Sequence, residues 1–404
     1  MARVLLRSMR VVGSGIRTGW LLLGITLILT IGCEAGLRLA LTTRGWLTER
    51  QPLTEDKSEN RVVLAAWIPE YLEELNEALR AVWSPYAYWR SASFQGRYTN
   101  VNQNGLRATW NPPTRDGADD PPPMRVFTFG GSTMWCWGAR DDHTIASHLS
   151  KLLYEKGQRV EVTNYGQLGY TSTQEVIALL RYLQRGDVPD IVLFYDGIND
   201  VFSSYHNGAA GIPIHEVVRR AEFNLSQRPI QLAWRWGREV LAGNLWGFHR
   251  LVTGLQRRLR RQAAPPLPSD DALVRQMVRV YEANLTLVES LGRSYGFDPL
   301  FYWQPVIFSK RHRSPYEQHR AKGNPFLKQT YDTVYQRIRR SQALNSRPHF
   351  HNLSALFDDL KEPYYWDFAH VSGAGNRLIA AAMVDDVIEL IEQRRAAAKQ
   401  KTVR

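Results

Sequence analysis

Phe127-Thr128-Phe129-Gly130-Gly131-Ser132-Thr133-Met134 is the stretch on which the reading of this chain turns. An alternating, aromatic-rich run, the pattern of a strand, breaks abruptly into two glycines and a serine. Asp141-Asp142-His143-Thr144 follows, then Ile145, Leu149, Leu152 and Leu153 at helical spacing. The order is strand, tight turn, helix, with the helix expected to run from Ser132 to near Gly157. The glycines permit a sharp turn at the strand's end and leave backbone N–H groups free to face a ligand.

Downstream the alternation continues. Strands are expected over 126–129, 160–164, 191–195, 300–303 and 306–308, separated by amphipathic helical stretches, which predicts a parallel sheet covered by helices. Ser172 and Glu175 form an S-x-x-E capping box that opens a helix through Gln184, with Gly186 as its stop. Val274, Val278, Tyr281, Leu285 and Val288 mark a long helix ending at Gly296, and further helices are expected over 326–341 and 376–393. Each early strand delivers a Gly-containing polar loop at its carboxyl end: Gly130-Gly131-Ser132, Tyr165-Gly166-Gln167-Leu168-Gly169, and Asp196-Gly197-Ile198-Asn199-Asp200. In open α/β sheets those ends share the ligand-binding face, so Ser132, Gly169 and Asn199 are expected to be neighbours.

A serine hydroxyl needs a hydrogen-bonded base, itself oriented by a carboxylate, to act as a nucleophile at neutral pH. The chain has ten histidines, so a histidine alone says little. Asp367 and His370 say more, because they stand three residues apart just before Gly373-Ala374-Gly375 and a final helix. The Ser132 and Gly169 N–H groups and the Asn199 amide are donor types suited to the oxyanion of a tetrahedral intermediate.

Gly-Gly-Ser132, the Asn164–Gly169 loop, Gly197-Ile-Asn199-Asp200 and Asp367-x-x-His370 occur in the order of the four sequence blocks of the SGNH hydrolases, also called GDSL esterases and lipases. The chain resembles that family over roughly residues 125–391, and as a whole it looks like membrane-anchored bacterial members with an extra N-terminal segment. The resemblance implies a flavodoxin-like three-layer α/β/α sandwich with a parallel sheet. It implies Ser132 as nucleophile, His370 as base and Asp367 as orienting acid. It also implies an oxyanion hole built from the Ser132 N–H, the Gly169 N–H and the Asn199 side chain. The Asp-Ser-Leu of the family signature is Gly131-Ser132-Thr133 here, so the signature carries no substrate inference.

The expected organisation is a basic cytoplasmic N-terminus (1–18), a transmembrane anchor (19–41), an extension with a Pro-rich linker (42–123), a hydrolase-like domain (124–395) and a basic tail (396–404). Trp20 to Leu41 covers about 22 residues, close to the roughly 20 that a helix needs to cross the hydrocarbon core. Glu34 and Arg38 can pair at i, i+4, and Arg3, Arg7, Arg10 and Arg17 favour a cytoplasmic N-terminus, putting the domain on the periplasmic or extracytoplasmic side. A cleaved signal and a lipoprotein signal ending at Cys33 are the competing readings of this segment. Residues 203–268 interrupt the alternation as a helical insertion. Its basic amphipathic stretch fits a lid, a solvated face or a membrane-contacting surface. Tyr86, Tyr88, Trp89 and Arg90 fit either a platform at the rim of a site or aromatic packing of the extension on the domain.

The net charge of +12 is spread over the anchor flank, insertion and tail, with no recognition motif, so nucleic-acid binding is not expected and anionic lipid or polymer is the fitting partner. Two cysteines, Cys33 and Cys136, do not make a disulfide framework, no Cys/His spacing suggests zinc, and no cofactor is implied. The expected activity is hydrolysis of a carboxylic ester, on a lipid or an O-acylated envelope glycan, through an acyl-enzyme. Acyl transfer to an envelope polysaccharide by the same triad, and a catalytically idle envelope-binding protein, are the alternatives. The sequence leaves the oligomeric state open.

Overall fold

The computed structural model describes residues 32–33, 67–113, 122–226, 272–322 and 325–402. Two compact units divide the chain. One comprises Met1–Lys57 and Arg219–Pro265; its described residues are Gly32, Cys33 and 219–226, the last forming the end of a helix, Glu216–Ser226. The expected anchor at 19–41, apart from Gly32 and Cys33, and the insertion from 227 to 268 lie outside the described residues. Among the described residues no helix is long and apolar enough to cross a membrane.

The other unit, Ser58–Val218 with Pro266–Arg404, holds the sheet. An N-terminal helix, Ile68–Ala78, precedes two short antiparallel pairs, β1 (Ala81–Ser84) with β2 (Tyr88–Ser91) and β3 (Phe94–Gln95) with β4 (Asn100–Val101). The parallel strands are β5 (Met124–Gly130), β6 (Val160–Asn164), β7 (Ile191–Asp196), β8 (Asp298–Trp303) and β9 (Phe350–Asn352). They lie in the order β6-β5-β7-β8-β9, the 2-1-3-4-5 order of doubly wound sheets. From β5 the chain steps one way to β6, then doubles back to β7. Right-handed crossovers therefore put the helices Ile145–Glu155 and Ser172–Leu183 on opposite faces. The final helix, Gly373–Thr402, joins the first face, and Ala272–Tyr295 and Pro325–Arg340 join the second. The strand order reverses between β5 and β7, so the crevice lies where Ser132 and Asn199 leave the sheet.

Every residue of β7 is buried, as a central strand covered on both faces requires. Its Phe194 stacks between Phe129 of β5 and Phe301 of β8, at 5.3 and 5.7 Å between ring centroids. The sheet's β6 edge is covered by the extension: Arg107 bridges antiparallel to both Val101 and Asn164. Asn111, expected to open a linker, instead caps that edge. Its amide donates to the Val162 carbonyl and accepts from the Val162 N–H, both at 2.9 Å.

Three local expectations are corrected. The helix from Ser132 is broken: Ser132–Trp135 is one short turn, and Thr144 caps a new helix by accepting from the Ser147 N–H at 3.1 Å. The cap of the next helix is Thr171 rather than Ser172, with Gln174 accepting from the Thr171 N–H at 3.2 Å. Residues 306–308 form a buried turn, since Pro305 has no N–H to continue a ladder.

Candidate active site

Gly130 ends β5, and Ser132 opens the short helix, so its side chain stands at the sheet's carboxyl edge. Gly131 between them has φ −78°, which any residue can adopt, so its requirement is space. A Cβ there would sit 1.9 Å from the Asn199 amide nitrogen. The helix stops at Cys136, which is left-handed at φ 64°. Its buried thiol donates to the Thr133 carbonyl and accepts from the Ile145 N–H, and burial pushes its pKa up to about 12. This cysteine is a structural peg and not a nucleophile.

Ser132, His370 and Asp367 meet although 238 residues separate the first two. His370 Nε2 lies 2.7 Å from Ser132 Oγ, and His370 Nδ1 lies 2.8 Å from Asp367 Oδ2. The other Asp367 oxygen, Oδ1, accepts from the Ala369 and His370 N–H groups, each at 2.8 Å. Burial works to raise this carboxyl, but the His370 ring and these hydrogen bonds outweigh it and hold the pKa below the ordinary value. Asp367 is thus an anion that fixes the ring's orientation and leaves Nε2 turned to the serine. The Trp137 ring packs against His370 at 4.9 Å.

The three expected donors come from three strand ends. The backbone N–H groups of Ser132 and Gly169 have no hydrogen-bond partner among the described residues. Gly169 holds φ +73°, a conformation that favours glycine and exposes its N–H. The Asn199 amide donates one hydrogen to the Tyr170 carbonyl at 2.8 Å, which orients it and leaves the second hydrogen beside Gly131.

Several supporting residues escaped the sequence reading. Arg107, buried, donates to the Trp135 and Cys136 carbonyls at 2.8 Å and to Asp141 at 3.0 Å, and covers the Trp135 ring at 4.3 Å. It locks the loop that follows Ser132. The loop carrying Gly169 is braced by the extension: Trp89 donates to the Leu168 carbonyl at 2.7 Å, and Gln167 accepts from the Ser91 N–H at 2.8 Å. Tyr170 donates its hydroxyl to the Trp89 carbonyl.

The loop leading to Asp367 is pinned by a fully buried ion pair, Lys310 with Glu317, at 2.8 Å. The same ammonium donates to the Glu362 carbonyl, and Glu317 accepts from the Tyr364 N–H. Beneath Asn199 lie three buried carboxyls, Glu175, Asp196 and Asp200, all with pKa raised, chiefly by burial. Asp200 accepts from the Ser172 hydroxyl at 2.6 Å, which explains why Ser172 does not cap its helix. Neither Asp196 carboxyl oxygen has a hydrogen-bond partner among the described residues, and repulsion from Asp196 and Asp200 adds to burial in raising Glu175.

Among the described residues no group of His, Cys, Asp or Glu side chains is arranged to hold a metal ion. No protein-family model matches the sequence, and no curated protein matches it. Solved structures do share likeness with it. The acetyl xylan esterase AlAXEase is 15% identical with a TM-score of 0.36, over 65% of this chain and 100% of that one. Axe2, an acetylxylan esterase from Geobacillus stearothermophilus, is 15% identical with a TM-score of 0.34, over 66% of this chain and 94% of that one. LAE5, an alpha/beta hydrolase enzyme from the metagenome of Lake Arreo, is 16% identical with a TM-score of 0.33, over 67% of this chain and 97% of that one.

Proposed function

We propose that this protein is a serine ester hydrolase of the SGNH type, acting on an acylated lipid or O-acylated envelope glycan. The observation that carries the reading is the continuous relay from Asp367 through His370 to Ser132, beside two unengaged backbone donors and an oriented amide.

In this mechanism Ser132 Oγ gives its proton to His370 Nε2 and attacks the ester carbonyl carbon. The Asp367 anion stabilises the imidazolium that forms. Negative charge developing on the carbonyl oxygen is met by the Ser132 and Gly169 N–H groups and the Asn199 amide, which need no reorganisation to receive it. Collapse breaks the ester C–O bond, and the proton on His370 goes to the leaving alkoxide, releasing the alcohol. A water then gives its proton to His370 and attacks the acyl carbon, releasing the carboxylic acid and restoring Ser132.

The remaining expectations belong to the same proposal: a single-pass anchor at 19–41 in the inner membrane, with the hydrolase domain, 124–395, on the extracytoplasmic side. Labelling with a fluorophosphonate probe tests the chemistry. Wild type should label at one serine, and Ser132→Ala and His370→Ala should not. Persistent labelling of Ser132→Ala would put the nucleophile elsewhere.

A further inference from the structure

A concavity lies beside the loop that carries Gly169, with Gln167 and Tyr170 in its lining. It measures about 320 Å³, within the range of small-ligand pockets. Its floor is a helix face with Ala178, Arg181 and Tyr182 at i, i+3 and i+4, continued by Arg185 in the turn after the helix. The opposite wall is the β1–β2 hairpin of the extension, which contributes Arg90 and Trp83.

Among the described residues no carboxylate lines this cavity. Arg90 spends one N–H on the Ser91 carbonyl, Arg181 lies over the Tyr86 ring at 5.1 Å, and Arg185 lies at 6.0 Å from the Tyr182 ring. Among the described residues none of the three forms an ion pair with an acidic side chain. Asp187, bonded to the lining residue Tyr165, is already paired with Arg125. Two arginines near a helix's C-terminal end could be explained by the helix dipole. That explanation does not reach Arg90, which comes from a different element and converges on the same space.

The hairpin presents its aromatics to solvent against ordinary preference. Trp83 and Tyr86 are 68% and 73% exposed. Tyr86 and Tyr88 hold φ of 68° and 75°, a left-handed conformation that side chains rarely adopt. Of these aromatics Trp83 lines the cavity, and Tyr86 carries the Arg181 that does. Arginine forks suit carboxylate and phosphate oxygens, and exposed aromatic faces suit the apolar faces of sugar rings.

We propose that this cavity is a subsite for an acidic sugar unit, a carboxylate- or phosphate-bearing residue of the glycan whose ester meets Ser132. The inference rests on the esterase reading and narrows it: the substrate is an acidic glycan rather than a lipid. Gln167 and Tyr170 line the cavity and flank Leu168 and Gly169, so one loop serves both places. The acidic unit is held beside that loop while its acylated neighbour reaches the donors.

Equilibrium titration of the full chain tests this without turnover, so it succeeds or fails independently of serine labelling. The probes are oligogalacturonate, a glycan phosphorylated at a sugar hydroxyl, neutral xylo-oligosaccharide of the same length, and phosphatidylglycerol vesicles. The expected result is binding of the carboxylated or the phosphorylated chain at least about tenfold tighter than the neutral one, weakening with salt. The two acidic probes distinguish the two anion sources. Arg181→Gln/Arg185→Gln should lose at least about tenfold in that affinity at an unchanged melting temperature. Should that variant melt early, Trp83→Ala, an exposed side chain, should weaken binding instead. Equal affinity for acidic and neutral chains, unchanged affinity in both variants, or binding to vesicles alone would overturn the proposal.

Discussion

Gly131→Ala offers a test of the donor geometry that leaves Ser132, His370 and Asp367 untouched. The backbone at Gly131 is extended at φ −78° and ψ −151°, so alanine suffers little conformational penalty there. The added carbon, however, would lie 1.9 Å from Asn199 Nδ2, and atoms in such a position must separate by well over an ångström. The amide is the lighter party to move, since its tether is a single hydrogen bond to the Tyr170 carbonyl at 2.8 Å. Moving it withdraws one of three donors from the oxyanion. Loss of one such donor costs about 10²–10³ in kcat, or roughly 3–4 kcal/mol of transition-state stabilisation. Asn199→Ala should cost a similar amount. The double variant should cost little more than either single change, because without the Asn199 side chain the alanine methyl meets only the Tyr170 carbonyl, at 3.3 Å. Steady-state kinetics on an activated ester, read as a double-mutant cycle, measures this directly. Additive losses, or wild-type kcat in Gly131→Ala, would refute the assignment of Asn199 as a donor.

Further predictions concern the supports. Asp367→Asn should lower kcat by about 10⁴ with little change in melting temperature, since it removes the anion that orients His370; calorimetry alongside kinetics checks this, and a kcat within tenfold of wild type would contradict the relay. Lys310→Met should destabilise the domain by about 3–5 kcal/mol in urea unfolding by leaving Glu317 buried and unpaired. Lys310→Met/Glu317→Leu should recover much of that loss, and equal stability of the two variants would count against the ion pair as the cause. Glu175→Gln should flatten the pH dependence of the melting temperature. Burial raises both Glu175 and Asp196, the latter to about 8, so the native state keeps protons that the unfolded chain has released. Stability from this pair is therefore full below the unfolded carboxyl pKa, about 4, and is lost as pH rises towards 8. Parallel melting profiles for the variant and wild type between those limits would show that Glu175 does not contribute to this dependence.

The parts legible in the sequence were those where chemistry restricts residue type. A strand ending in Gly-Gly-Ser, a Gly-containing loop after each of the next two strands, and Asp-x-x-His before the last helix can be read because few residues would serve. The alternation of strand and helix was legible for β5 to β8 through apolar runs. β9 was not, since Phe350-His351-Asn352 is three residues long with two polar side chains. The supports were illegible for a related reason. Arg107 stands in an ordinary Asn104-Gly105-Leu106-Arg107 turn, and only the fold brings the Trp135 and Cys136 carbonyls to it. Lys310 and Glu317 read as part of a polar, basic loop, because burial of an ion pair leaves no trace in spacing. The alternation also concealed the break after Ser132, where Thr144 starts a second helix in register with the first.

The buried carboxyls near Asn199 bear on the proposed oxyanion site, and their raised pKa values lessen the conflict. Asp196 ends β7, and Asp200 follows Asn199 by one residue, so full ionisation of Glu175, Asp196 and Asp200 would place three negative charges behind the donors. In a poorly solvated interior those charges would oppose the negative charge developing on the substrate oxygen. Burial and repulsion from neighbouring carboxylates raise the pKa of Glu175 and Asp196 instead, which favours their neutral forms and weakens the opposing field. Asp200 is met by the Ser172 N–H and hydroxyl, dipoles whose positive ends face it. Among the described residues the Ser132 and Gly169 N–H groups are left without a hydrogen-bond partner. Unengaged donors held in place are what the proposed oxyanion hole requires.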